Sequence, residues 1–68
     1  MPFAIELEQE TDGRWIAEIA DLPGVMVYGA TRQEAIERVQ VLALRVLADQ
    51  VEKGESPTQI QHVFAVTP

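Results

Sequence analysis

At 68 residues the chain is expected to be one domain (1–68), small enough that folding buries only about 60% of the surface the unfolded chain exposes. It has no cysteine, which excludes disulfides and thiolate metal sites, and its net charge of −6 argues against direct nucleic-acid binding, which needs clustered Lys and Arg. A small core without such reinforcement points to self-association or a partner, and an acidic surface suits a basic one.

The N-terminus, Met-Pro-Phe-Ala-Ile-Glu, lacks the basic segment and apolar run of a secretory signal. No apolar run approaches the ~18 residues of a membrane span, so the expected location is cytoplasmic, with no membrane contact. Residues 3–10 alternate: Phe3, Ile5 and Leu7 fall on one face, Glu6, Glu8 and Glu10 on the other. That predicts a half-buried first strand. Residues 14–20 predict a second, with Trp15, Ala17 and Ile19 on one face. A two-residue Asp-Gly turn would pair Leu7 with Glu18 and mix the faces. A three-residue loop, Thr11-Asp12-Gly13, pairs Ile5 with Ile19, Leu7 with Ala17 and Gln9 with Trp15, and puts Gly13 at the left-handed position. The same register sets Glu10 beside Arg14 and Glu6 opposite Glu18.

Leu22-Pro23-Gly24-Val25 fits a type II turn, with Pro23 fixing the first central position and Gly24 supplying the positive φ of the second. Residues 25–29 predict a short third strand. Thr31 and Glu34 then form a capping box that opens a helix over residues 32–53, closed by Gly54. Ala35, Ile36, Val39, Leu42, Ala43, Val46 and Leu47 make one broad apolar face to cover the sheet. The helix should be roughly 33 Å long, against about 23 Å for a seven-residue strand, so its C-terminal end should overhang. Val41, Leu44, Ala48 and Val51 are also apolar but lie off the core face, and so are a candidate interface for a second copy or a partner. Residues 52–58 carry turn chemistry, and residues 60–66 predict a last strand.

The polar residues offer no catalytic constellation. His62 lies in the last predicted strand and Ser56 in a loop before Pro57, which is no dyad. Glu6 and Glu18 face the same way, with Glu8 one step along and Asp21 at the strand end. Hard cations take such oxygens, but a solvated polar face is the simpler reading. Residues 23–29 lack the glycine spacing and the Lys of a phosphate loop. Trp15 reads as packing. No catalytic, cofactor-binding or metal-binding residue is therefore assigned and no cofactor is expected. Gly13, Pro23, Gly24, Thr31, Glu34 and Gly54 have structural work.

The run 12–24 (Asp-Gly-Arg-Trp-Ile-Ala-Glu-Ile-Ala-Asp-Leu-Pro-Gly) followed by 25–35 (Val-Met-Val-Tyr-Gly-Ala-Thr-Arg-Gln-Glu-Ala) resembles the HicB family. These are the antitoxins of HicA/HicB toxin–antitoxin systems, together with small stand-alone HicB-like proteins. The likeness covers residues 3–54 and is specific only in combination: an Asp-Gly hairpin with an aromatic, an Asp-Leu-Pro-Gly turn, and Gly-x-Thr with Glu-Ala opening a helix. Ala20 stands where the turn motif often has a proline, and Ala30 where many members have an acid.

The resemblance implies an α+β fold, a truncated ribonuclease-H-like unit of two layers, β-β-β-α-β. Its mainly antiparallel four-stranded sheet would run in the order 3-2-1-4, with strand 4 parallel to strand 1 and the long helix on one face, a right-handed connection. It implies binding and masking of a HicA-type toxin, a small basic mRNA-cleaving ribonuclease. Ribonuclease H activity is not expected, because the truncated units lack the catalytic carboxylates. Members that repress their own operon carry a C-terminal helix-turn-helix or ribbon-helix-helix module. The sequence stops at Pro68, so no DNA-binding module is expected. The alternative is an orphan homo-oligomeric HicB-like domain, dimer or tetramer, with an unrelated regulatory or ligand-binding role.

Overall fold

A computed structural model of the chain describes residues 3–55, 60 and 63–68. Three strands, β1 (Glu6–Gln9), β2 (Trp15–Glu18) and β3 (Met26–Gly29), form an antiparallel sheet in the order β1-β2-β3, and one helix, α1 (Arg32–Glu52), covers one face. The fold is α+β in two layers.

The first hairpin takes the register that the apolar faces demand. Leu7 pairs with Ala17, Gln9 with Trp15 and Glu6 with Glu18. The loop 11–13 is closed by Glu10 N–H donating to Arg14 O at 2.7 Å and Gly13 N–H to Glu10 O at 3.0 Å, with Gly13 at φ +94°. A side chain would be strained there, so the loop depends on glycine.

The connection from β2 to β3 is a structural part as well as a turn. Val25 N–H donates to Leu22 O and Gly24 sits at φ +82°, as the Pro-Gly pair requires. Leu22 N–H donates to Ile19 O, and Ile19 N–H to Val25 O. These bonds hold Leu22 and Val25 inside the core, with Val25 fully buried. The third strand therefore begins at Met26, one residue later than the pattern suggested.

Thr31 caps α1: its hydroxyl accepts from Glu34 N–H at 3.1 Å. Glu34 reaches back to Ala30 N–H at 3.3 Å, one residue before the cap, and pairs with Arg38 at 3.0 Å. Arg38 also donates to Tyr28 O, tying the first turns of the helix to the end of β3. At the far end, Glu55 N–H donates to Gln50 O and Gly54 N–H to Val51 O, with Gly54 at φ +82°. That is a Schellman closure, in which a left-handed glycine satisfies the last carbonyls. Lys53 pairs with Asp49 at 3.0 Å, and this bond holds its ammonium pKa above the ordinary value.

The core is small. Ala17, Ile19, Leu22, Val25, Ala35, Val39, Ala43 and Leu47 are buried, and Trp15 packs at their edge with Phe3, Ile5, Leu7 and Val27. The helix backbone lies close against the sheet at Gly29, where a Cβ would lie 2.5 Å from Ala35 N and 2.8 Å from its Cα.

The expected fourth strand over residues 60–66, and with it the order 3-2-1-4, is not formed among the described residues. Ile60 O accepts from Val63 N–H and Phe64 N–H, a single helical turn, and residues 63–68 belong to no strand. Ser56, Gln61 and His62 lie outside the described residues. A physical reason is the length mismatch. Strands of four residues span about 13 Å, whereas α1 runs about 32 Å. The helix thus delivers the chain well past the sheet, and Val63-Phe64-Ala65-Val66 has no alternation to commit it to a sheet face.

Gly29→Ala is expected to destabilise the fold by about 1–3 kcal/mol through overpacking against the helix backbone, read as a lower urea midpoint. An unchanged midpoint would show that α1 can shift off the sheet without cost.

Candidate interaction surfaces

Among the described residues no three His, Cys, Asp or Glu side chains stand together as a metal site. What the fold presents is two contrasting surfaces, one acidic and one apolar.

The acidic surface is the face of the sheet away from α1. Because strand side chains alternate, the register that buries Ala17 places Glu6 and Glu18 outward as cross-strand partners. Glu8 pairs across with Ile16, and these residues with Leu7 line a shallow depression. All three glutamates are exposed. Their mutual repulsion is mildly unfavourable for the sheet. Asp21 lies apart, in the β2–β3 connection, so the four acids singled out in the sequence do not converge.

At the hairpin end Asp12 pairs with Arg14 at 2.8 Å and also accepts Arg14 N–H at 3.1 Å. The Arg14 guanidinium in turn lies 4.7 Å from the centre of the Tyr28 ring. The backbone hydrogen bond, then the guanidinium, hold the Asp12 carboxyl below its ordinary value of about 3.8.

The apolar surface is the outer side of α1. Val41, Leu44, Ala48 and Val51 are all exposed, Leu44 by 66%. One apolar groove beside this line is lined by Leu44, Leu47, Ala48, Val51, Ile60 and Phe64. A second, nearer the sheet, shares Leu44 and Leu47 and adds Phe3, Ile5 and Ile19. The helix spacing identified the line. The grooves beside it are not legible in the helix spacing, because the first depends on where Ile60 and Phe64 come to rest and the second on how Phe3, Ile5 and Ile19 lie against α1. Pro23, Gly13, Gly24, Thr31, Glu34 and Gly54 occupy their structural positions and face neither surface as a cluster. No helix among the described residues is long and apolar enough to cross a membrane.

A lowered folded-state pKa means that Asp12 stabilises the hairpin fully above about 3.8, and that this contribution is lost as pH falls through the lower folded value. Urea midpoints of the native chain and Asp12→Asn should therefore differ at neutral pH and converge in acid; a difference that persists in acid would assign the effect to loop geometry alone. In comparisons with protein-family models, with curated proteins and with solved structures, the chain matched none.

Proposed function

We propose that this chain is a non-enzymatic HicB-like protein of the cytoplasm that binds a small basic protein partner, a HicA-type mRNA-cleaving toxin, and associates with itself. The observation that carries the reading is the outward acidic face. Glu6 and Glu18 are held side by side in the sheet at a cost to the fold, in a chain whose net charge is −6. Like charges kept together on a small domain suit a surface that meets positive charge, raising the on-rate and excluding wrong partners. The order of elements supports it further: Asp-Gly hairpin, Pro-Gly turn and Thr-capped helix follow one another as the resemblance implies. In this reading residues 60–66 become the fourth strand beside β1 on assembly, giving the order 3-2-1-4. The exposed apolar line on α1 favours the second reading, an orphan homo-oligomeric HicB-like domain with a regulatory or ligand-binding role.

The test is co-expression with the small basic protein encoded by a neighbouring reading frame. Relief of its toxicity, and its recovery on the tagged chain, are the expected results. Failure of both overturns the toxin reading and leaves the orphan domain. Glu18→Lys sharpens the test, because it replaces a repulsive cross-strand pair with an attractive one. It should raise the urea midpoint slightly while weakening the basic partner's binding by about tenfold or more at low salt. Unchanged binding would place the partner elsewhere.

A further inference from the structure

Val41, Leu44, Ala48 and Val51 are spaced three, four and three residues apart, which is the seam of a coiled coil. One turn earlier on the same line stands Glu37, so the seam is confined to residues 41–51 of α1. Along one side of it lie the two apolar grooves. The groove toward the sheet is a recess floored by Phe3, Ile5 and Ile19, beside β1, whose outer edge has no strand neighbour among the described residues. The groove toward the helix end is bounded by Ile60 and Phe64. From it project Val63, Phe64 at 73% exposed and Val66 at 99%.

We propose that a second copy of this chain pairs antiparallel along that seam, with the dyad between Leu44 and Ala48, and that residues 63–66 of each copy seat in the sheet-side recess of the other, along its β1 edge. This deepens the self-association reading above by naming the surface and the register. A two-fold interface must be self-complementary, each patch meeting its own counterpart. One chain carries both halves of the contact on the same flank of α1, the projection toward one end and the recess toward the other. A dyad at the middle of the seam exchanges them.

Charge selects the direction. A parallel pair would set each Glu37 directly against its counterpart on the same line, whereas the antiparallel pair moves the two to opposite ends of the seam. Exposure points to the same surface. Val41, Leu44, Val51, Val63, Phe64 and Val66 are each about half to almost fully exposed, on a domain small enough that an apolar surface of this kind marks an interaction site. The radius of gyration, 13.9 Å, exceeds the ~11 Å of a compact chain this long. An overhanging helix and an unpaired tail account for the excess, and the second copy covers both.

The intact chain, free of cysteine, suits a direct test. Sedimentation velocity across micromolar concentrations should show a dimer. Leu44→Glu should raise its dissociation constant about 100-fold or more and Phe64→Ala about tenfold, with the helical circular dichroism unchanged. Val41→Cys mixed with Val51→Cys should give the disulfide-linked heterodimer on mild oxidation, in preference to either homodimer. A native chain that stays monomeric overturns both self-association and this arrangement. A dimer that cross-links as homodimers overturns the antiparallel register alone, and a dimer indifferent to Phe64→Ala overturns the exchange of tails.

Discussion

The contact between Gly29 and Ala35 governs the rest of the molecule. With a Cβ at Gly29 only 2.5 Å from the helix backbone, α1 and β3 meet as closely as two main chains do where a side chain is missing. Five residues separate them in sequence, and those five include the capping threonine. The helix is therefore fixed in position at its very first turn, by backbone contact, by Thr31 and by the Arg38 bond to Tyr28 O. Everything farther along α1 follows from that origin. Val39 and Ala43 meet the sheet, Leu47 reaches its edge, and the final turns have no sheet beneath them.

Overhang and acidity divide the labour between surfaces. The sheet buries one face under α1, so its other face can carry Glu6, Glu8 and Glu18 without costing the core anything. The helix spends its inner face on the sheet, so its outer face is free to carry Val41, Leu44, Ala48 and Val51. A contact with a second copy and a contact with a basic partner can thus coexist on opposite layers.

Much of this was legible in the sequence, for identifiable reasons. The three-residue hairpin loop followed from requiring Leu7 and Ala17 to share a face, because a slip of one residue would expose the whole apolar set. The turn at Pro23-Gly24, the Thr31 cap and the Gly54 closure followed from residue types with narrow conformational uses. What escaped was what distance in the chain conceals. Gly29 read simply as a strand end, since nothing in its neighbours announces that Ala35 will lie against it. Leu22 and Val25 read as turn flanks, and their burial depends on two further backbone bonds to Ile19. The segment 60–66 read as a strand because a short apolar run is compatible with several structures, and its partner decides among them. The acidic face was legible as alternation, and the grooves beside α1 were not, because their walls come from residues distant in the chain, Ile60 and Phe64 for one and Phe3, Ile5 and Ile19 for the other.

The strand order has a consequence in time. In β1-β2-β3 followed by α1, each described element packs beside the one that precedes it in the chain. Every loop that joins the described elements is short, so little chain entropy is lost before contacts repay it, and such local pairing favours fast folding. Under the proposed self-association the slow step is the encounter between molecules, whose rate rises with concentration while the folding of each chain does not.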